Sequence, residues 1–470
     1  MKFSRLSRRG VLLGLSGLQL VIAGAGAGCL VFALYAGVIV LAFPIVGICA
    51  VLAFVSVGGR KLAEWGPIGL GWLWRSSGGQ LVYRRRIVKP RPAGTLALPG
   101  DAARLRQWLD PETGAVMVHD PHAATLTAII GVSHPAFVLL DPAEQERRVV
   151  AWGRVLATAC RSGRIASLQI MERTLPDSGK GLAQWWDTHG THDQTWASRT
   201  YAELIERAGP AGERHASTIS ISLDMKIARR AIRAAGGGMK GGAAVLRQEM
   251  ATLLAALRSA DLSPSDWLTP GDLAFILRSA YDPAVAGALE RHGDIGRDLA
   301  TAGPVAVTES WGTMRTDSAH HCVLWISEWP QSMVFPGFLA PMLLSSGISR
   351  TFTLLYTPMR TDQAARDIRK KKTEYISDAA QRQRIGQIED ARQTAEYQDV
   401  LQQEADLTAG HGVLRCTGFV TVSANDPDEL ERGVAAIEQA AIQASCETRR
   451  LWGQQAQGFA VSALPLCRLV

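Results

Sequence analysis

The sequence lacks the paired-cysteine patterns that mark zinc sites, redox sites and secreted disulfide scaffolds. Its 470 residues include seven cysteines, an odd number, and none of them forms a C-x-x-C pair. Glycine and proline follow no G-X-Y period, and no segment repeats with a period of about 20 to 50 residues. We therefore predict a reduced, cytoplasm-facing protein that is not a collagen, a solenoid or a propeller.

Motifs of the well-marked enzyme classes are also missing. A P-loop needs a glycine-rich turn followed by Lys and Ser/Thr, but Gly179-Lys180 is followed by Gly181. The chain has no Rossmann fingerprint after a strand, no H-E-x-x-H, no G-x-S-x-G and no kinase motif set. His119–His122 and His320–Cys322 lack a zinc-ligand spacing and are typical of turns or strand ends. We predict that the protein is not an enzyme and has no catalytic residue, no metal ligand and no cofactor.

Positive charge is concentrated near the N-terminus. Residues 1–91 contain 12 Lys/Arg against Glu64 alone, a net charge of +11, which leaves −4 on the remaining 379 residues of a chain whose net charge is +7. Cations beside apolar runs follow the positive-inside rule, and the rest of the chain has no excess cation for phosphate groups. We therefore expect no direct binding of nucleic acid.

Two long runs near the N-terminus, Val11–Leu34 and Val38–Val57, contain no charged residue. As helices, both are long enough to cross the roughly 30 Å hydrocarbon core of a bilayer. Only Tyr35–Gly37 lies between them, which leaves room for a tight turn. Because Lys and Arg flank both outer ends, we predict a transmembrane helical hairpin over residues 1–58. The predicted location is the inner (plasma) membrane, multi-pass, with both termini cytoplasmic.

Two features of this hairpin leave alternatives open. Gly24 and Gly28 have the G-x-x-x-G spacing that lets helix backbones approach closely. This spacing predicts either packing within the hairpin or a face that meets another membrane subunit. Ser7–Leu12 resembles a twin-arginine export signal, which would place the rest of the chain outside the cytoplasm. The length of the apolar run and the second run after it favour the anchor.

The segment after the hairpin, residues 59–95, combines tryptophan with cations. Indole rings favour the level of the lipid headgroups, and Lys/Arg favour anionic lipid. The predicted membrane-interface residues are Trp65, Trp72, Trp74, Arg84, Arg85 and Arg86. The alternative is a segment that packs on the soluble part of the chain. Lys89–Pro92 is typical of a stiff linker.

The remainder is predicted to be α+β, with helices on one face of a mixed sheet, because strand and helix periodicities alternate along it. The predicted segments are an α+β subdomain over 96–235, a second over 236–360, a long polar helical segment over 361–410 and a strand–helix–strand unit over 411–470 that packs on the body. The run Arg369–Lys372 is interpreted as a solvated face. Ala234–Gly242, with five glycines, is interpreted as a flexible joint or exposed loop.

A family resemblance is concentrated in the last 60 or so residues. The matching segments are Ala405–Arg415, Phe419–Ala424, Asp428–Leu430, Gln454–Phe459 and Leu464–Leu466. Together they resemble the end of the N-terminal domain in conjugative type IV secretion (VirB-type) ATPases. In that family the Leu-Pro-Leu run leads to a motor domain with a Walker A loop, whereas this chain ends four residues after Leu466. No position here matches the family's nucleotide-binding residues.

The anchor with Gly59–Trp65 resembles the small PrgI-like membrane subunit of the same systems. The whole chain is similar to actinobacterial membrane proteins of conjugation loci that join these two parts without a motor. The resemblance implies a non-catalytic inner-membrane structural or adaptor component that docks a separate ATPase. The expected partners are the lipid bilayer, a secretion or conjugation ATPase and other membrane subunits, in a homo- or hetero-oligomer. A type VII secretion membrane subunit and a membrane-tethered transferase remain alternatives.

Overall fold

The structure is a computed structural model, and it divides the chain into an N-terminal unit and a larger body. It describes residues 17–37, 39–57, 60–86, 88, 92, 94–96, 98–133, 137–193, 195–208, 212–293, 298–385, 391–409 and 412–468. The described residues up to Leu81, with Trp452–Gln454, form the N-terminal unit. Val82–Leu451 and the residues from Gln455 onward form the body.

The N-terminal unit contains two apolar helices and a third, amphipathic helix. Its elements are α1 (Gly17–Ala36), α2 (Ile39–Phe54), β1 (Ser56–Val57), β2 (Arg60–Lys61) and α3 (Leu62–Ser77). The first apolar run is predicted to begin at residue 11, and its first six residues lie outside the described part. The second run is predicted to be helical to residue 57, but its helix ends at Phe54, because β1 pairs with β2 in an antiparallel ribbon.

The body is built on one large antiparallel sheet of 13 described strands. These are β3 (Val82–Arg84), β4 (Arg106–Leu109), β5 (Val116–Asp120), β6 (Thr125–Ser133), β7 (Ile165–Pro176), β8 (Glu213–Asp224), β9 (Ser263–Trp267), β10 (Ala306–Glu309), β11 (Met314–Thr316), β12 (Ala319–Glu328), β13 (Ser349–Met359), β14 (Val413–Ala424) and β15 (Glu447–Arg450). The α+β class agrees with the prediction. The predicted mixed sheet is wrong, because every pairing between the described strands is antiparallel.

The helices of the body lie between these strands. They are α4 (Pro142–Arg161), α5 (Lys180–His189), α6 (Trp196–Ala208), α7 (Arg229–Ala234), α8 (Gly238–Ser259), α9 (Pro270–Tyr281), α10 (Ala286–Arg291), α11 (Ala340–Leu343), α12 (Thr361–Ile385), α13 (Ala391–Thr408), α14 (Pro427–Gln443) and α15 (Gln455–Ser462). The predicted polar helical segment corresponds to α12 and α13, and residues 386–390 between them lie outside the described residues. The predicted strand–helix–strand unit occurs as β14, α14 and β15, with β14 inside the sheet.

The sheet consists of two halves with the same order of strands and with helices at equivalent points between them. The first half runs β4-β5-β6-α4-β7-α5-α6-β8-α7-α8-β9, and the second runs β10-β11-β12-α11-β13-α12-α13-β14-α14-β15. Across the sheet, β6, β8 and β7 follow one another in the first half, as β12, β14 and β13 do in the second; β9 pairs with β6 and β15 with β12. Each half thus contains the strand–helix–strand–strand–helix–strand topology of a ferredoxin-like unit. β7 and β13 pair antiparallel and join the halves around a pseudo-twofold axis.

Successive residues of a strand point to opposite faces of this sheet, so both faces carry a core. On one face, α4 and α8 cover the first half, and α11 and α14 cover the second. On the other face, α9 and α15 pack over strands of both halves. In β14, Val420 and Val422 pack on the α14 side, whereas Phe419 packs in the cluster that contains Phe459 of α15. Burying side chains of this size stabilises the fold by about 1.5–3 kcal/mol each.

The end of the chain crosses the second face and connects the two halves. The Gln169 side chain of β7 donates to the carbonyl oxygens of Val461 (3.0 Å) and Leu464 (2.9 Å), and it accepts from the amide of Cys467 (2.7 Å). From the other half, the Thr353 hydroxyl of β13 donates to the carbonyl oxygen of Ser462 at 2.5 Å. These side chains satisfy backbone groups at the end of α15 that have no partner within the helix.

Candidate interaction surfaces

The apolar surface of α1 is the most prominent exposed feature of the N-terminal unit. Within the described part of the chain, α1 is the one helix long and apolar enough to cross a membrane, and 17% of its most apolar stretch is buried. Val21, Val31 and Phe32 are among its exposed large side chains. At 16 residues, α2 spans about 24 Å, less than the roughly 30 Å of a hydrocarbon core. A buried core helix and a signal sequence share the length and composition of α1, so the multi-pass topology stays a prediction.

The packing of α1 on α2 does not use the predicted glycine pair. A Cβ atom added to Gly24 or Gly28 would meet no atom within 4 Å. A Cβ atom on Gly26 would lie 3.0 Å from the Cβ of Cys49 in α2. The Gln19 side chain, which is buried, donates to the carbonyl oxygen of Ala53 at 2.6 Å. Gly26 is therefore the glycine at this contact, and a role for Gly24 and Gly28 against another membrane subunit stays a prediction.

The three predicted interfacial tryptophans of α3 lie on two different sides of the helix. Trp74 is 77% exposed, whereas Trp65 and Trp72 are half-buried. Leu70 and Leu73 are also exposed, and they share the side of Trp74 at helical spacing. These two leucines belong to the segment predicted to be interfacial but are not among the predicted interface residues. The spacing of residues 70, 73 and 74, with no charged residue between them, could have identified this stripe.

The predicted interfacial arginines lie at an edge of the large sheet. Arg84 belongs to β3 and pairs with Ala306 of β10. The guanidinium of Arg85 donates to the carbonyl oxygen of Ala300 at 3.0 Å, and its backbone amide donates to Val305. Arg84 and Arg86 are exposed, and Arg85 is half-buried. Part of this cationic run therefore has a structural role in the body, and its contact with lipid stays a prediction.

The body exposes a second apolar surface on α5 and α6, the pair of helices between β7 and β8. The two helices meet where the Trp186 ring packs on the Tyr201 ring, with centroids 4.8 Å apart. The outer side chains of the pair are left in solvent. The exposed large side chains are Leu182, Trp185, Trp196, Tyr201 and Leu204, and Trp196 is 76% exposed. Patches that place several large apolar side chains together are typical of interaction sites.

The equivalent helices of the second half, α12 and α13, cover each other. Ile368 and Tyr375 of α12 pack with Val400 of α13 in a small cluster. The ammonium group of Lys372 lies 2.7 Å from a carboxylate oxygen of Glu404, and the Tyr375 hydroxyl donates to Glu396. Of the run predicted to be a solvated face, Arg369 and Lys370 are exposed, whereas Lys371 and Lys372 are half-buried.

A cavity of about 390 Å³ lies at one end of the central strands of the body. Its lining includes Thr174 of β7, Ser423 of β14 and the carboxylates Glu213 and Glu429. Glu213 accepts a hydrogen bond from the backbone amide of Gly347, so this carboxylate is already engaged. Among the described residues, no group of three or more His, Cys, Asp or Glu is arranged to hold a metal ion.

The buried thiols of the body are poor nucleophiles. Burial raises the pKa of the Cys322, Cys416 and Cys467 side chains to about 12 and that of Cys160 and Cys446 to about 11. The thiolate is the reactive form of cysteine, and at neutral pH these five side chains are protonated.

The chain matches no protein-family model and no curated protein. The features of the described structure that bear on function are the exposed surfaces given above. These surfaces are two exposed apolar faces, one on α1 and α3 of the N-terminal unit and one on α5 and α6 of the body. Both have the chemistry of association rather than of bond-making, because they present hydrocarbon and indole side chains.

Proposed function

We propose that the protein is a membrane-attached, non-catalytic adaptor of a conjugative or type IV secretion-like apparatus, and that its body docks a separate ATPase. The observation that carries the membrane part is the exposed apolar surface of α1, with Val21, Val31 and Phe32 in solvent. Leaving side chains of this size in water costs about 1.5–3 kcal/mol each relative to burial. A bilayer removes this cost over the whole length of the helix.

The finer topology belongs to the same proposal. We place α1 across the inner membrane and α2 beside it as the returning half of a hairpin, with both termini in the cytoplasm. Support comes from the contact between Gly26 and Cys49, from the hydrogen bond between Gln19 and Ala53, and from the cations outside both apolar runs. A short α2 is compatible with a thinner local bilayer at a modest cost.

The membrane part is tested by a lysine substitution at the exposed centre of α1. Ala27→Lys should reduce the fraction of protein that resists carbonate extraction, because a lysine in the middle of a spanning helix costs roughly 2.5–3.5 kcal/mol. The matched control is Ala436→Lys on an exposed position of α14, which should leave extraction unchanged. Equal extraction of both variants and the wild type would contradict membrane insertion. Protease added to spheroplasts should spare the body, and its digestion would support the export-signal alternative.

The docking part is supported by the exposed apolar face of α5 and α6 and by the resemblance to the N-terminal domain of VirB-type ATPases. Trp196 and Leu204 are chosen for substitution because both side chains are exposed and neither belongs to the core. Trp196→Glu with Leu204→Glu should abolish co-purification of a type IV ATPase. The control is Ile442→Glu, an exposed apolar position on α14. Recovery of a type VII ATPase would replace the type IV assignment, and an undiminished complex would remove this face from the proposal.

A membrane-tethered transferase is the second candidate, and one observation favours it. The carboxylates of Glu213 and Glu429 line the same cavity, and paired carboxylates are used for acid–base chemistry. The engagement of Glu213 by the Gly347 amide weakens this candidate. Substrate turnover that is lost in both Glu213→Gln and Glu429→Gln would establish it over the adaptor.

A further inference from the structure

Helix α3 carries an exposed apolar stripe that the rest of its unit does not cover. Leu70, Leu73 and Trp74 are 70%, 59% and 77% exposed. With 3.6 residues per turn, positions i, i+3 and i+4 fall on one side of a helix. The charged residues within α3, Glu64 and Arg75, fall well outside this stripe at the same spacing. The stripe is therefore a continuous apolar surface about one third of the helix circumference wide.

The opposite side of α3 is apolar as well, and it is the side that packs. Trp65, Ile68 and Trp72 follow one another at helical spacing and are all half-buried. A helix on the surface of a water-soluble protein has one apolar side and one polar side. Helix α3 has two apolar sides, and the inner one alone is accounted for by packing within the protein. The outer stripe requires another apolar surrounding.

The start of α3 lies at the end of α2. The backbone amide of Leu62 donates to the carbonyl oxygen of Val55 at 2.9 Å, directly after the last turn of α2. The Lys61 ammonium donates to the carbonyl oxygen of Phe54 at 3.3 Å, so a cation caps the end of the apolar helix. Exposed apolar side chains continue along α2 up to that end, where Phe54 is exposed. The apolar surface of the N-terminal unit thus passes from α2 to α3 at a point marked by a cation.

We propose that α3 lies in the membrane–water interface, with Leu70 and Leu73 in the acyl boundary and the Trp74 indole among the headgroups. The occupant of the stripe is the lipid bilayer. Lysine at the end of a membrane helix marks the level of the lipid headgroups, and tryptophan is enriched at that level. Lys61 at the end of α2 therefore places the start of α3 at the headgroups. The inference rests on the proposed membrane attachment through α1, and it adds a second, in-plane contact in which Leu70 and Leu73 join the predicted interface residue Trp74.

The test is photo-crosslinking of the full-length protein to lipid. p-Benzoylphenylalanine is introduced singly at Trp74, at Leu73, at Glu64 and at Phe32, and each variant is reconstituted in phosphatidylethanolamine–phosphatidylglycerol vesicles that contain a clickable phospholipid. Glu64 is the matched control because it is exposed on α3 away from the stripe. Phe32 reports on α1, since it is exposed on that helix. The measured quantity is the lipid adduct per protein after illumination.

The expected result is a lipid adduct at positions 32, 73 and 74 that is several-fold larger than at position 64. Adduct at position 32 with background levels at 73 and 74 would overturn the in-plane placement of α3 and leave the membrane attachment intact. Background levels at all four positions would overturn both. A protein–protein adduct at position 73 or 74 in place of lipid would show that another subunit covers the stripe. Because positions 73 and 74 are exposed, the substitutions leave the buried side of α3 unchanged, and circular dichroism of each variant verifies this.

Discussion

Gln169 should be among the most sensitive polar residues of the body, and its replacement by leucine tests how the two halves are held together. The side chain is fully buried and makes three hydrogen bonds to the backbone at Val461, Leu464 and Cys467. Leucine has a similar volume and none of these groups. Gln169→Leu therefore removes the hydrogen bonds while keeping the packing, and it leaves backbone groups buried without a partner.

The expected loss of unfolding free energy depends on how many of these three backbone groups are left without any hydrogen-bond partner. The Leu464 carbonyl oxygen keeps the hydrogen bond from the Leu466 amide, so it is the least affected. The Val461 carbonyl oxygen and the Cys467 amide carry most of the loss. At about 1–3 kcal/mol for each buried unsatisfied group, the variant should lose roughly 2–6 kcal/mol of unfolding free energy.

The assay is thermal unfolding of the detergent-solubilised full-length protein, followed by tryptophan fluorescence and by limited proteolysis. The midpoint of Gln169→Leu should fall by roughly 5–10 °C, and the segment after Gln455 should be cleaved before the rest of the body. The control is Gln363→Leu, which changes an exposed glutamine of α12 and should leave the midpoint unchanged. A Gln169→Leu midpoint equal to that of the control would refute the role of this side chain in joining the halves.

Three further changes have defined outcomes. Desolvation lowers the pKa of His321 to about 3 from the usual 6.5, so below pH 6.5 the unfolded chain binds a proton that the folded chain does not. The free energy of unfolding should therefore decrease as the pH is lowered, by up to about 1.4 kcal/mol per pH unit. Urea midpoints at pH 7 and 5 should show this decrease in the wild type and not in His321→Gln. Asp426→Ala removes the helix cap in which the Asp426 carboxylate accepts from the Glu429 amide. The free energy of unfolding, measured by urea titration, should fall by about 1 kcal/mol. An unchanged value would contradict a stabilising role of this cap. A Cβ atom at position 241 would overlap the Ile232 carbonyl oxygen, so Gly241→Val should cost about 1–3 kcal/mol. The control is Gly181→Val at an open position of α5, and equal midpoints of the two variants would contradict this expectation.

Local features of the fold could be predicted because short-range chemistry decides them. Thr269 before Pro270 is typical of a helix start, and the structure has a capping box between Thr269 and Asp272. Asp426 before Pro427 is a second such start, and the Asp426 side chain accepts from the Glu429 amide. Caps and alternating strands depend on residues within one or two turns of each other, so their signal survives in a single sequence.

Features that depend on tertiary contact could not be predicted in this way. Ala234–Gly242 is interpreted from composition as a flexible joint or exposed loop. Ala235 and Gly236 do form an exposed turn, but α8 begins at Gly238 and Gly241 is buried against the backbone of Ile232 in α7. Composition alone does not separate glycine needed for a flexible turn from glycine needed for a close approach. The antiparallel arrangement of the sheet could not be predicted from the sequence for a similar reason, because strand direction is set by pairing between distant segments.

The internal duplication also has a weak trace in the sequence. In β8, Ile219 and Ile221 alternate with Ser220, and in β14 Val420 and Val422 alternate with Thr421. The aliphatic residues pack under the helices of their own half. The two hydroxyl side chains bond to the C-terminal segment, Ser220 to the Pro465 carbonyl oxygen and Thr421 to the Ser462 hydroxyl. Any amphipathic strand shows such alternation, so the repeat becomes recognisable only from the order of the strands in the sheet.

The duplication also explains how one body can present two different ends. Because β7 and β13 are antiparallel, the connection after β7 leaves one end of the sheet and the connection after β13 leaves the opposite end. The first connection forms α5 and α6, which expose Trp185 and Trp196; the second forms α12 and α13, which bury Tyr375 and Val400 between them. Among the described side chains, the first pair leaves large aromatic residues exposed and the second pair does not. If the body docks an ATPase as proposed, the energetic contribution should therefore be concentrated at α5 and α6.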